Sequence, residues 1–334
     1  GLVGLGVMGR NFILNIAENG FSCIGLSSSI ESIKILRKEG KDFIVDGTQS
    51  EKEFLNSLSR PRKVMLLVPA GEPVDSIIKK FLPYLDKDDI IIDGGNSHYD
   101  DTERRYTYLK EKNIKFIGAG VSGGSKGARF GPSIMPGGDK DSYEIVKPIF
   151  ESVSAKVKGE PCVTYLGNTS SGHYVKMIHN GIEYGIMQLI SESYHILKNG
   201  LNKENIEIYN TFKKWNDGML NSYLVEITRD VFKVKDEKSE NYLIDLILDK
   251  AKQKGTGKWT SQSAMDFGVS IPTIDSSVSM RIISSFKETR IKAQKLYSKK
   301  IISPTSSIKS DDIEKALIFS FIITFAQGLS QLKI

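Results

Sequence analysis

Near the start of the chain, Gly4-Leu5-Gly6-Val7-Met8-Gly9 fits the spacing G-x-G-x-x-G, and its surroundings narrow the fold more than any other feature. A short apolar run precedes it and a helical pattern over residues 10–19 follows. In that setting the first glycine permits a tight turn and the second lets the backbone approach a pyrophosphate. The third lets helix pack on strand, and the helix N-terminus turns free N–H groups toward the anion. Such a unit belongs to a parallel sheet. Residues 2–5, 23–26, 63–68, 90–93, 116–121 and 163–166 read as strands, and most are continuous apolar runs, as suits a sheet buried on both faces. Helical stretches lie between several of them. The expectation is an α/β, Rossmann-type doubly wound dinucleotide-binding domain over residues 1–171.

After Leu166 the pattern changes. Asn168-Thr-Ser-Ser-Gly172 reads as a turn and helix start, and an apolar-rich helical run covers about 173–197. The windows 204–217, 222–233, 240–253, 275–298 and 311–330 also look helical, with a low-complexity loop at 303–307. An all-α substrate and dimerisation domain over 172–334 is expected. Two domains agree with 334 residues at a prior of about 150 per domain. With 40% apolar and 26% charged residues the chain is neither disordered nor fibrous. Two cysteines, Cys23 and Cys162, exclude a disulfide framework and a four-cysteine zinc site, and read as buried thiols of a reducing, cytoplasmic compartment. No signal peptide is recognisable. The longest apolar segment, 318–326, is interrupted by Ser320 and Thr324, so no membrane span is expected.

The net charge is +6, and residues 173–334 hold 23 basic against 18 acidic groups. Between positions 250 and 300 there are 11 basic and three acidic residues but few aromatics. Nucleic acid is therefore not the expected partner. That segment reads either as a solvated helix face or as a small anion site.

The most informative segment is Lys176-Met-Ile-His179-Asn180-Gly-Ile-Glu183-Tyr184. Its five polar residues fall at i, i+3, i+4, i+7 and i+8, one stripe of a helix that is otherwise apolar. Burying them is costly unless they meet a ligand or each other. A Lys176–Glu183 bridge would be a purely structural solution. The functional one makes a desolvated lysine the base and the glutamate an acid. Two loops stand ready to close over this face. Asp93-Gly-Gly-Asn96-Ser97 follows one strand; Val121-Ser122-Gly123-Gly124-Ser125-Lys126-Gly127 follows the next, with glycines that let N–H groups approach an anion. Gly120-Val-Ser122-Gly is not a hydrolase elbow. Lys254-Gly-Thr256-Gly-Lys258-Trp-Thr260 is either a surface loop or a phosphate clamp. His98, His173, His179 and His195 show no metal-ligand spacing, each reads as an ordinary histidine, and no metal is expected. At the end of the second strand Ser27-Ser28-Ser29 precedes Glu31, with Lys34 and Arg37 nearby, a weak lean toward NADP over NAD.

Five segments together resemble the decarboxylating 6-phosphogluconate dehydrogenase family over essentially the whole chain. They are Ile92-Asp-Gly-Gly-Asn-Ser, Gly120-Val-Ser-Gly-Gly, Gly127-Ala-Arg-Phe-Gly-Pro-Ser-Ile-Met-Pro-Gly-Gly, Tyr174-Val-Lys-Met-Ile-His-Asn-Gly-Ile-Glu-Tyr-Gly and Lys254-Gly-Thr-Gly-Lys-Trp-Thr. The resemblance implies oxidation and decarboxylation of 6-phosphogluconate to ribulose 5-phosphate with NADP as acceptor, in the pentose phosphate pathway and gluconate utilisation. It makes Lys176 the base at the 3-hydroxyl, later returning the proton to the enediol oxygen, and Glu183 the acid that protonates C1. Asn96, Ser122, Gly123, Gly124, His179 and Asn180 would hold the sugar acid, and Tyr184, Lys254, Thr256 and Arg281 its phosphate. The cofactor would lie against Gly4, Gly6, Val7, Met8, Gly9, Ser27, Ser28, Ser29, Val68, Ala70 and Asn96. A homodimer is implied, with each site completed by a partner tail carrying an arginine and a histidine.

Two departures qualify these expectations. Ser27-Ser28-Ser29 stands where the family has Asn-Arg-Thr, and Pro69 where a lysine is common, so weakened NADP binding or tolerance of NAD is expected. The family chain continues past the segment 326–329. The second domain is therefore expected to be incomplete, the chain not fully active alone, and the first strand short of its outermost residues. The rival readings are a non-decarboxylating β-hydroxyacid dehydrogenase, which lacks the Lys254–Thr260 type of loop, and an inactive NADP-binding protein.

Overall fold

A computed structural model describes residues 1–253, 255–297 and 307–333. The chain divides into two compact units, Gly1–Met177 and Ile178–Ile334. The division falls inside a helix and not in a linker.

The first unit holds a seven-stranded sheet: β1 (Leu2–Val3), β2 (Cys23–Leu26), β3 (Val45–Thr48), β4 (Lys63–Leu66), β5 (Ile90–Asp93), β6 (Lys115–Ser122) and β7 (Ser133–Gly138). Their spatial order is 3-2-1-4-5-6-7. The first six are parallel and β7 runs antiparallel to β6. This is the doubly wound order, reversing between β1 and β4. Side-chain alternation feeds two cores. Leu2, Met65, Ile90, Ile92 and Ile117 enter one, while Val3, Val64, Leu66, Ile91 and Phe116 enter the other. Both faces are covered by helices: α1 (Val7–Glu18), α2 (Ile30–Glu39), α3 (Glu51–Asn56), α4 (Glu72–Phe81), α5 (Tyr99–Lys110), α6 (Gly124–Phe130) and α7 (Lys140–Val153).

The expected strand at 163–166 does not form. Only Val163 makes an isolated bridge, to Ile134. Val163 and Tyr165 pack on the core nonetheless, so the apolar pattern reports burial there and not pairing. Conversely β3 and β7 are strands with poor signals. β7 carries Pro136, Gly137 and Gly138, which read as a turn; Pro is tolerated because β7 is an edge strand. Cys23 and Cys162 are free but half-buried, not fully buried. Burial still raises the Cys23 thiol to about 11.

Helix α8 (Ser171–His195) passes through the division between the units. The second unit continues with α9 (Asn205–Asn216), α10 (Tyr223–Val231), α11 (Leu243–Leu246), α12 (Thr256–Asp266), α13 (Pro272–Ser285), α14 (Lys287–Tyr297) and α15 (Ser310–Gln331). Phe212 packs edge-on to Trp215 at 4.9 Å and stacks on Phe232 at 5.8 Å, an aromatic core for α9 and α10. The helix expected over 240–253 shrinks to the single turn α11. Asp236 takes hydrogen bonds from Lys238 N and Ser239 Oγ, an alternative to helical pairing just upstream. Leu246, Ile247 and Leu248 remain exposed, so no packed face sustains a helix there. The window 275–298 is two helices, α13 and α14, and the loop at 303–306 lies outside the described residues. By length and composition α15 is long and apolar enough to cross a membrane. The reading of 318–326 missed this because Ser320 and Thr324 interrupt the run without making the helix polar. One face of α15, with Ile313, Leu317, Phe321, Thr324 and Gly328, is buried.

Candidate active site

The glycine loop performs three separable tasks. Gly4 has φ +98, and a Cβ there would lie 2.5 Å from Leu67 O. At Gly9 a Cβ would lie 1.8 Å from Gly4 O, so helix α1 packs on the turn only through a glycine. A Cβ at Gly6 meets nothing within 4 Å, and Gly6 caps α1 without a side-chain hydrogen bond. The first N–H groups of α1 are therefore left to an anion, and these residues fit a dinucleotide pyrophosphate.

At the end of β2 the serines are partly committed. Ser29 Oγ caps α2 by accepting from Ser32 N at 3.2 Å, and Ser27 Oγ accepts from Ser29 N at 3.1 Å. Exposed Ser28 has its carbonyl held by Gln49 at 2.7 Å. Arg37 is turned to Asp46 at 2.6 Å and to Gly47 O, and Lys34 lies 3.7 Å from Glu31.

The loop after β5 is anchored by Asp93, which is fully buried. Its carboxylate accepts from Gly95 N at 3.0 Å, Ser97 Oγ at 2.6 Å and Arg105 Nη1 at 3.3 Å. Arg105 also forks onto Asp75 and donates to Gly71 O at 3.0 Å, tying the loop after β4, with Val68 and Ala70, to the loop after β5. Hydrogen bonds from Arg105, then Arg104, hold the Asp75 carboxyl far below the usual range. The fixed loop presents Asn96 to solvent.

Strand β6 carries Gly118 and Gly120 on one face, and α8 seats against it. A Cβ at Gly120 would lie 2.3 Å from Lys176 Cβ; one at Gly118 would lie 3.0 Å from His173 Nδ1. The two glycines make room for two side chains one helical turn apart. Lys176 is buried to 6% exposure. Two residues past Gly120, β6 ends at Ser122, and Gly123 (φ +126) and Gly124 (φ +61) turn the exposed backbone into α6. Gly120→Ala forces the stem of Lys176 aside, since its Cβ is no flexible end. A shift of about 1 Å is expected to cost up to about 10²-fold in kcat, measured against the melting temperature of the same variant.

In the second unit, His179, Asn180, Glu183 and Tyr184 continue the stripe along α8, all half-buried. His179 Nδ1 is 3.3 Å from Asn180 Oδ1 and 3.7 Å from Glu183 Oε2. Lys176 and Glu183 thus stand two turns apart on one helix. Around Tyr184 the structure gathers two of the other residues expected at the phosphate, Arg281 and Thr256. The Arg281 guanidinium lies 3.9 Å from the Tyr184 ring centroid and donates to Lys252 O at 2.9 Å. A Cβ at Gly257 would be 2.5 Å from the Tyr184 ring, which brings the buried Thr256 at the start of α12 beside it. Lys254 lies outside the described residues.

The comparisons with known proteins agree with this layout. A family model for the NAD binding domain of 6-phosphogluconate dehydrogenase matches residues 1–167, and one for the C-terminal domain of the same enzyme matches 172–334. The NADP(+)-dependent, decarboxylating 6-phosphogluconate dehydrogenase of Bacillus subtilis is 54% identical over all of this chain and 72% of its own length. The chain belongs to the 6-phosphogluconate dehydrogenase family. The Escherichia coli enzyme is 50% identical, again over 100% of this chain and 72% of the relative. The Plasmodium falciparum 6-phosphogluconate dehydrogenase structure, studied apo and with NADP+ or 6-phosphogluconate, superposes with a TM-score of 0.95 at 47% identity, covering 99% of this chain and 72% of that one. A 3-hydroxyisobutyrate dehydrogenase of Salmonella typhimurium (TM-score 0.64, 16% identical, covering 94% and 98% of the two chains) shares the fold alone.

Three features of the site escape sequence reading. Arg105 and Asp75 look like surface charges, and the alternation Gly118-x-Gly120 looks like a weak strand. His173 looks ordinary, although its i−3 spacing from Lys176 places it on the same stripe. The ring is 1% exposed and its Nδ1 lies 2.6 Å from Thr102 Oγ1. Burial lowers its pKa below 6.5, assisted by Arg105 and opposed by Asp93 and the main chain at Asp93 and Gly95. As pH falls below about 6.5 the unfolded chain takes up a proton that the native ring refuses, so stability drops by up to about 1.4 kcal/mol per pH unit. Denaturant midpoints at pH 7.5 and 5.5 test this, and His173→Gln flattens the dependence.

Proposed function

We propose that this chain is an NADP-dependent oxidoreductase that converts 6-phosphogluconate to ribulose 5-phosphate and CO2, in the cytoplasm and within the pentose phosphate pathway. The observation that carries the reading is buried Lys176, seated on Gly120 beside the end of β6, in a chain half identical to decarboxylating relatives. NADP, when bound, supplies the two-electron acceptor. Gly4, Gly6 and Gly9, with the N–H groups of α1, hold its pyrophosphate, and Ser27–Ser29, Val7, Met8, Val68 and Ala70 border it.

Lys176 takes the proton of the 3-hydroxyl as C3 is oxidised. Loss of CO2 from the resulting 3-keto acid leaves electrons on C2 and the former carbonyl oxygen, and Lys176 returns its proton to that oxygen. Glu183 then protonates C2, which becomes C1 of ribulose 5-phosphate. Asn96, Ser122, Gly123, Gly124, His179 and Asn180 orient the sugar acid, and Tyr184, Thr256, Arg281 and Lys254 take the phosphate. Steady-state kinetics of the full-length protein test the reading: CO2 and NADPH in equal amounts from 6-phosphogluconate are expected. Turnover of 3-hydroxyisobutyrate without CO2 would sink it. Because Arg37 is engaged by Asp46, a 2′-phosphate at the β2 end would rely on the serine turn, and the same assay with NAD measures how much discrimination that turn retains.

A homodimer completes the proposal. Phe319, Ile322, Phe325 and Leu329 are exposed on α15, opposite its buried face. Such a patch is covered by a partner in soluble proteins, and the partner proposed is a second copy. Phe319→Glu with Phe325→Glu is expected to yield monomers in sedimentation analysis; an unchanged mass removes α15 from the interface.

A further inference from the structure

Residues 249–252 form neither helix nor strand, so their main-chain groups must find partners elsewhere. They find them on α13 and α14. Arg290 donates to the Asp249 carboxylate at 2.7 Å, to Asp249 O at 2.8 Å and to Ser284 O at 3.0 Å. Lys287 pairs with the same carboxylate. Ser284 Oγ accepts from Ala251 N at 2.9 Å and donates to Arg281 O, one turn back along α13, at 2.8 Å. Arg281 in turn donates to Lys252 O at 2.9 Å. The same guanidinium meets α8, lying 3.9 Å from the Tyr184 ring centroid and 3.7 Å from Met187 Sδ.

We propose that Ser284, with Arg290 beside it, is a positioning residue for the phosphate end of the site: it locks 249–252 against α13 and so fixes the carbonyl on which Arg281 rests. A long side chain that is ordered only when its ligand arrives weakens binding by the entropy it loses. Lys252 O and the Tyr184 ring order this guanidinium beforehand. It carries five N–H donors, and Lys252 O and Met187 Sδ engage two of them among the described residues, which leaves donors for phosphate oxygens. Lys252 O is only as well placed as its segment, which has no ladder or helix of its own. Ser284 ties that segment one residue earlier, at Ala251, and Arg290 ties it at Asp249. The segment also leads toward Thr256 at the start of α12, so both phosphate residues depend on one anchor. Neither Ser284 nor Arg290 has a part in the chemistry described above, and each acts only through the groups it places.

This inference deepens the proposed function and rests on its placement of the phosphate, and the test separates the two. In the full-length protein, Ser284→Ala is expected to weaken 6-phosphogluconate binding in calorimetry roughly 3–10-fold, the worth of a lost hydrogen bond. Arg290→Leu should weaken it about 10-fold, since two carbonyls and a carboxylate lose their donor. KM should rise with Kd, while kcat and NADP+ affinity change less than about threefold. Ser284→Thr keeps a hydroxyl that can bond back along the helix, and should recover most of the loss. The deciding arm is Ser284→Ala in an Arg281→Ala background. If Ser284 works through Arg281, its removal changes little once the guanidinium is gone. An unchanged Kd in Ser284→Ala, a threonine no better than alanine, the same loss with and without Arg281, or NADP+ binding weakened equally each overturns the positioning role. Wild-type protein that binds 6-phosphogluconate without turning it over would overturn the functional reading alone, and the titrations would still decide this one; failure to bind it overturns both.

Discussion

Lys176→Ala is expected to leave a folded protein that binds NADP and releases CO2 about 10²–10⁴-fold more slowly, the range lost with a general base. The loss should appear equally in kcat and kcat/KM, because the proton transfer exists only in the transition state. The decisive variant is Lys176→Arg. A guanidinium keeps the charge and the reach but does not deprotonate in a protein. If Lys176 merely neutralised the substrate carboxylate, arginine would restore much of the rate. As a base, arginine should be as slow as alanine, and added methylamine should partly rescue alanine but not arginine. The variant should also fold, since alanine at 176 keeps the Cβ that seats closest to Gly120. Arginine with near wild-type turnover would remove the base role from Lys176.

The chemistry of this chain is more legible in its sequence than the scaffold that aims it. The helix stripe from Lys176 to Tyr184 is visible because 3.6-residue periodicity is a local property, and α8 forms over it as expected. The glycine loop is visible for the same reason: its turn, its open Gly6 and its tight Gly9 are fixed within six residues. What stays hidden is non-local. Nothing near Arg105 in the chain announces that Asp75, 30 residues earlier, will meet it. β7 is hidden because Pro136 and two glycines suit an edge strand only once β6 is beside it. The segment 163–166 misled in the opposite sense, having strand composition and a partly buried position but only the isolated bridge from Val163 to Ile134. Arg37 shows a further limit. A basic residue near a predicted phosphate site was already bound to Asp46, and only coordinates reveal such a prior engagement.

Arg105→Leu is expected to destabilise the first unit strongly. Arg105 is 1% exposed and Asp93 is fully buried, so removing the guanidinium leaves a carboxylate without a counter-charge in the interior. Breaking a buried pair from one side costs about 3–5 kcal/mol. Three facts place this case at the lower end. Asp93 keeps its bonds from Gly95 N and Ser97 Oγ, its contact with Arg105 is long at 3.3 Å, and Asp75 keeps Arg104. About 3 kcal/mol, at about 2–4 °C per kcal/mol for a unit of this size, lowers the melting temperature by about 6–12 °C. The Asp75 carboxyl is held far below its ordinary value by Arg105 and Arg104, so its contribution is fully present at neutral pH and fades only in acid. The loss should therefore be complete at pH 7. Arg105→Lys should recover less than half, because an ammonium cannot fork onto Asp75 while reaching Asp93 and Gly71 O. A melting temperature within 2 °C of wild type for Arg105→Leu would show that the two loops are held by packing alone.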